Sequence, residues 1–139
     1  MSLERFVEAQ EPVYDLALTE LKRGDKRGHW MWFVFPQLAG LGHSPTAQKF
    51  GLAGCDEAEE YLAHPVLGTR LRECAHALTD LPGSDPVDVL GLIDALKLRS
   101  SMTLFDAVAG DDVFAQVLAQ YYDGKPDELT LSLISRRSG

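Results

Sequence analysis

Apolar side chains recur along this chain at helical intervals in short bursts, and glycine or proline closes nearly every burst. Ser2 can cap a first helix that turns Phe6 and Val7 inward. Glu11-Pro12 opens a second, in which Val13, Leu16, Ala17 and Leu21 keep the helical period. Lys22 and Arg23 suit the negative end of its dipole, and Gly24 suits its stop. Ser44-Pro45 reads as an N-cap followed by proline at the first helical position, ahead of Ala47, Phe50 and a stop near Gly51. Asp56 and Glu59 have capping-box spacing before Tyr61 and Leu62. His64 reads as a cap before Pro65, opening a helix with the stripe Val66, Leu67, Leu71, Cys74, Ala75 and Leu78. Gly68 weakens the first turn of that helix but permits close packing.

Residues 82–86 are the clearest loop, followed by a short helix with Val87, Val89 and Leu90. Residues 93–109 form the most hydrophobic helix, with Leu96, Met102, Phe105 and Val108 expected inward. Asp111 is placed to cap the next, which carries Val113, Phe114, Val117, Leu118 and Tyr121 and ends at Gly124 and Pro126. Asp127 opens a last helix with Leu131 and Ile134, closed by Arg136 and Arg137. Residues 30–35 break the pattern. Trp-Met-Trp-Phe-Val-Phe is apolar at every position, so periodicity fits a buried strand or an aromatic helical turn equally well. The sum predicts an all-α fold over residues 1–139: a single compact orthogonal array of about seven short helices, with 30–35 as the one place for an extended segment.

Composition narrows the class. With 45% hydrophobic and 24% charged residues in 139, the chain is an ordinary globular protein rather than a disordered one. Its longest apolar run is far short of the roughly 20 residues a membrane span needs. The N-terminus lacks the apolar core of a secretory signal, so a cytoplasmic location is expected. Cys55 and Cys74 have no metal or redox spacing and are expected to be reduced, buried thiols. His29, His43, His64 and His76 form no metal-binding pair, so no metal and no cofactor are expected. The net charge of −8 opposes duplex nucleic acid as a partner. That charge is uneven: residues 1–50 hold six basic and six acidic side chains, and the acidic excess lies beyond them. An anion therefore finds a positive pocket most easily in the N-terminal third.

Three segments carry more than packing needs. In residues 22–32, four cations precede His29, Trp30 and Trp32. Arg27 suits a phosphate, either tryptophan suits a ring, and His29 is the acid–base candidate. The plainer reading is a solvated basic turn beside core tryptophans. In residues 37–45, Gln37 is a polar amide at the end of an aromatic run. Gly40 and Gly42 let backbone approach a ligand, and Ser44 opens a helix whose free N–H groups attract anions. A plain capped loop is the alternative. In residues 97–105, Lys97 and Ser101 share a helix face, and Ser100 and Ser101 interrupt an apolar run. Lys97 suits an anion; the alternative is small residues for tight packing, with Lys97 extending to solvent.

These segments resemble one bacterial family. His29-Trp30-Met31-Trp32-Phe33-Val34-Phe35-Pro36-Gln37-Leu38, with Gly40-Leu41-Gly42 and Ser44, is similar to the signature of the family called domain of unknown function 1810. Tyr61-Leu62-Ala63-His64-Pro65-Val66-Leu67-Gly68 and residues 97–105 are similar to its other two blocks. The resemblance implies a mainly helical stand-alone domain and no known activity. Members sometimes carry the label calpastatin, and nothing in these residues supports a protease inhibitor. A looser likeness, in the aromatic segment, Ala58-Glu59-Glu60-Tyr61-Leu62 and Leu67-Gly68, is to small helical domains that process ADP-ribose or N-glycosidic nucleotides.

Two functions fit. In the first, the domain binds a nucleotide-like or ADP-ribose-like phosphorylated small molecule, with hydrolysis or modification as an open extension. Arg27 and Lys97 hold phosphate, Trp30 or Trp32 stacks, Gln37 orients a polar edge, residues Gly40 to Ser44 donate backbone N–H groups, Ser100 and Ser101 flank the site, and His29 moves a proton. In the second, the domain is a non-enzymatic interaction module that docks a protein on the aromatic 30–35 segment. A concave setting for the tryptophans beside Lys97 favours the first; a convex exposed patch favours the second.

Overall fold

A computed structural model describes residues 3–110 and 112–138, with the side chains of 137 and 138 left aside. Ten helices stand among the described residues: α1 (Glu4–Gln10), α2 (Tyr14–Arg23), α3 (Met31–Val34), α4 (Pro45–Phe50), α5 (Cys55–Ala63), α6 (Leu67–Thr79), α7 (Pro86–Leu90), α8 (Leu92–Ala109), α9 (Val113–Tyr122) and α10 (Glu128–Ser138). The all-α expectation holds, but the count of about seven was too low. The short α4 and α7 stand as separate helices where the sequence placed them, and α3 adds one in the aromatic run. The 30–35 segment is α3 and its flanks, not a strand. The sole β feature among the described residues is an isolated parallel bridge between Leu38 and Leu52.

The helix ends follow local chemistry. Gly24 stops α2 in the left-handed region at φ 72°. Ser44 Oγ accepts from the Ala47 N–H at 3.1 Å. His64 Nδ1 accepts from the N–H groups of Val66 and Leu67 at 3.1 and 3.2 Å, so it caps the start of α6. Asp85 caps α7, and Asp127 Oδ2 accepts from the Thr130 N–H at 3.0 Å. Two expected caps differ. Asp56 does not cap α5; it lies in the first turn, and Glu57 reaches back to the Ala53 N–H at 3.0 Å. Asp112 caps α9 through the Val113 N–H. Ser2 and Asp111 lie outside the described residues.

Helix α8 is the axis of the array. It packs against α5, α7, α9 and α10, while α6 packs against α2, α5 and α9. A chain of aromatic contacts runs through the interior: Phe33–Phe50 (5.3 Å between ring centroids), Phe50–Phe6 (5.6 Å), Phe6–Tyr61 (5.2 Å), Tyr61–Phe105 (5.5 Å) and Phe105–Phe114 (5.7 Å). Each lies in the range where tilted rings attract beyond their buried area. Met102 and Phe105 are buried as expected, but Leu96 is 59% exposed beside Leu92 and Ile93. The first turns of α8 thus project past the core, and only from Leu98 onward is its inner side fully enclosed. Cys74 is buried, and burial pushes its thiol up to about 12, leaving it inert as a nucleophile; Cys55 is half-buried, and neither is in a disulfide.

Candidate functional site

The loop from α2 to α3 is organised by a buried carboxylate. Glu20 sits on the inner side of α2 with Ala17 and Leu21, and its Oε1 accepts three hydrogen bonds. They come from the backbone N–H of Arg27 (3.0 Å), the backbone N–H of Gly28 (2.9 Å) and Trp30 Nε1 (2.8 Å). Burial pushes the Glu20 carboxyl up. The N–H groups of Gly28, Arg27 and Trp30, with the Lys26 ammonium, outweigh it and hold the group below the ordinary glutamate range.

That loop places Lys26 against α8. The Lys26 N–H donates to Val89 O at 2.8 Å, fixing the loop to α7. The Lys26 ammonium donates to Gly28 O at 2.5 Å, pairs with Asp94 Oδ2 at 2.7 Å, and lies 4.9 Å from the Trp30 ring centroid. Asp94 Oδ1 holds Lys97 at 3.1 Å, and the Lys97 ammonium lies 4.1 Å over the Trp32 ring. Burial pushes the Asp94 carboxyl up, but the two ammoniums outweigh it and hold it below the ordinary aspartate range. Two lysines share one carboxylate, so one positive charge is left over beside an indole in a chain of net charge −8.

Trp32 is the residue at which the sequence blocks meet. A narrow cleft beside it is lined by Trp32, Gln37, Leu41, Gly42 and Phe50 and has room for about one water molecule. A Cβ on Gly42 would stand 2.9 Å from Ala47 Cβ and 3.3 Å from Trp32 Cη2, so glycine lets this loop close on the ring edge. The Gln37 carbonyl accepts from the Leu52 N–H at 2.9 Å. Its side-chain amide, on a residue only 8% exposed, has no hydrogen-bond partner among the described residues. Gln37 and Gly42 thus share a cleft with Trp32, and Lys97 lies over the same indole ring.

The other expected residues lie elsewhere or are occupied. Trp30 is 1% exposed, with its indole N–H spent on Glu20, so it offers no face to a ligand. Arg27 is on the surface, paired with Asp25 at 2.9 Å, and His29 is exposed. Neither makes a hydrogen bond, ion pair or ring contact with Trp32 or Lys97. Gly40 is an exposed turn residue at φ 99°. Ser44 is occupied as the cap of α4. Ser100 Oγ donates to Leu96 O at 3.3 Å within its own helix. Ser101 is fully buried, and its Oγ has no partner among the described residues. A buried hydroxyl without a partner costs stability, so Ser101→Ala is expected to raise it by about 1 kcal/mol in urea denaturation. A loss of stability would mean that the hydroxyl is bonded.

Sequence reasoning passed over Glu20, Asp94 and the particular part of Lys26. The Asp94–Lys97 spacing was a signal for the first pair. A lone carboxylate on the apolar stripe of α2 was the signal for Glu20. Among the described residues no group of His, Cys, Asp and Glu could hold a metal ion, and no helix is long and apolar enough to cross a membrane.

Comparison with known proteins bears on the fold and the family. A solved structure of a conserved hypothetical protein from Mycobacterium tuberculosis is similar at 48% identity over 96% of each chain, with a TM-score of 0.94. No curated protein matches significantly. The model of the family described as protein of unknown function (DUF1810) matches residues 1–134. That span takes in all three blocks, the Glu20 hub and the Lys26–Asp94–Lys97 group, and the chain belongs to the DUF1810 family.

Proposed function

We propose that this chain binds a small phosphorylated molecule with a ring system, of nucleotide-like or ADP-ribose-like kind, on the face formed by Lys97, Trp32 and Gln37. The observation that carries the reading is the Lys97 ammonium held over Trp32 with one charge in excess of Asp94. A phosphate draws Lys97 off the indole, and the ring face it leaves is then free to stack a base or pack a sugar. The unpartnered Gln37 amide supplies directional hydrogen bonds at the same edge. The cleft holds about one water, so the ligand ring lies against Trp32 from outside and does not enter. Lys26, whose side chain is 8% exposed, stays with Asp94 and keeps that carboxylate from repelling the phosphate.

The reading is one of binding. His29, the acid–base candidate, lies outside the group. The aromatic 30–35 segment gives a protein partner little to grip, because Trp30, Met31, Val34 and Phe35 are all buried.

Thermal-shift measurements with ADP-ribose, NAD, AMP and ribose 5-phosphate test the proposal. A ligand at about 100 times its Kd stabilises the native state by about 2.7 kcal/mol. Lys97→Ala is expected to abolish that shift while its own Tm stays near wild type, since Asp94 keeps Lys26 as a partner. A shift that survives in Lys97→Ala, or a flat response of the folded wild type to all four, would overturn the reading.

A further inference from the structure

We infer that a second oxyanion site lies on the other side of α8, in the groove where Arg99 faces the end of α9. Arg99 follows Lys97 by two residues, which puts it about 200° round the helix. It opens instead on a groove of about 390 Å³ that it lines with Ser84, Gln120, Tyr122, Asp123 and Lys125. That volume is in the range of small-molecule sites.

The groove is built around an oriented guanidinium. Arg99 Nε donates to Lys125 O at 3.0 Å, and its guanidinium carbon lies 5.9 Å from the Tyr122 ring centroid. Tyr122 is itself fixed, donating its hydroxyl to Ala95 O at 2.5 Å. The side is closed by Gln120, whose Nε2 donates to Leu81 O at 2.9 Å and Gly83 O at 2.8 Å and so pins the loop that carries Ser84. With Nε engaged, the two terminal nitrogens of Arg99 remain as an end-on pair. Neither they nor the Lys125 ammonium has a carboxylate or other acceptor among the described residues.

An oriented pair of N–H₂ groups matches two oxygens of a phosphate or carboxylate, and Lys125 adds a second charge. Among the described residues, Asp123 is the one carboxylate that lines the groove beside Arg99 and Lys125, which leaves the lining a positive excess. The net charge of −8 on the whole chain opposes a polyanion such as a duplex or an acidic membrane. The ligand class is therefore a small molecule bearing an oxyanion. Ser84 and Gln120 also line the groove. This site stands apart from the Lys97–Trp32 face and does not depend on it.

The test is an NMR titration at fixed ionic strength, with inorganic pyrophosphate in one arm and citrate in the other. Backbone amides of Ser84, Gln120, Tyr122 and Lys125 report binding. Saturable shifts at these positions are expected in the wild type and in Lys97→Ala alike. Arg99→Gln is expected to weaken binding at least tenfold, about the worth of one charge-assisted bidentate contact. Lys125→Gln keeps the carbonyl that holds Arg99, and a smaller weakening there covers the case in which Arg99→Gln unfolds. The response of the two arms identifies a phosphate or a carboxylate. Shifts that never saturate, or that persist undiminished in a folded Arg99→Gln or Lys125→Gln protein, would overturn the site.

Discussion

Glu20→Ala is expected to cost the fold about 3 kcal/mol, read as a fall in Tm of about 10 °C. The reason is the number of donors left behind. Three N–H groups, those of Arg27, Gly28 and the Trp30 indole, lose their acceptor together, and the indole is fully buried. The Lys26 ammonium also loses a nearby counter-charge. Glu20→Gln keeps one oxygen in place and is expected to recover part of the loss. The same carboxylate sets a pH dependence. Its folded pKa lies below the ordinary value of 4.5, so its contribution is complete above about pH 4.5 and is lost as pH falls through the folded value. Asp94 and Asp112 are likewise held below their ordinary value of 3.8 and act in the same direction further into acid. Urea denaturation at pH 7 and at pH 3.5 should therefore show a smaller drop in stability for Glu20→Ala than for wild type. A Tm within a degree or two of wild type for Glu20→Ala would remove Glu20 from the centre of this loop.

Gly68→Ala is expected to destabilise by about 3 kcal/mol, against the usual direction of that change in a helix. In an unencumbered helix interior, alanine for glycine gains about 1 kcal/mol. Here a Cβ would stand 2.0 Å from Leu62 O and 2.8 Å from Leu62 C. Both are backbone atoms, so no rotamer relieves the contact and the start of α6 must move off the end of α5. Those helices carry Tyr61, Leu67 and Leu71, all fully or almost fully buried. Thermal melts of the single variant decide the matter by sign. A gain in Tm would mean that the helices do not approach this closely.

Much of the helix punctuation was legible because it is local. Gly24, Ser44-Pro45, His64 and Asp127 act on backbone groups within a few residues, so their types and spacing carry the information. Gly68 was legible as a close-packing position for the same reason, although its partner Leu62 O was not. Facing was harder. Leu16 and Leu96 were expected inward and are 51% and 59% exposed, while Tyr14 is buried in α2. On α8 nearly every side is apolar at the start, so the period does not single out a face; what decides is where the neighbouring helices end. The aromatic segment shows the limit most clearly. Trp30 and Trp32 are two residues apart in an unbroken apolar run, yet one is core and the other borders a cleft. The difference is made by Glu20 and Lys97, from helices well before and well after them in the chain. Of the expected ligand residues, Lys97, Gln37 and Gly42 each border Trp32; Arg27 and His29 had only adjacency in sequence to recommend them.

The most direct measurement is the NMR spectrum of the two indole N–H groups during a titration with ADP-ribose, assigned with Trp32→Phe. Binding on the Lys97–Trp32 face predicts a saturable shift of the Trp32 resonance, while Trp30, buried and bonded to Glu20, stays where it is. A Trp32 resonance that does not move at saturating ligand, or shifts confined to the groove of Arg99 and Lys125, would contradict it.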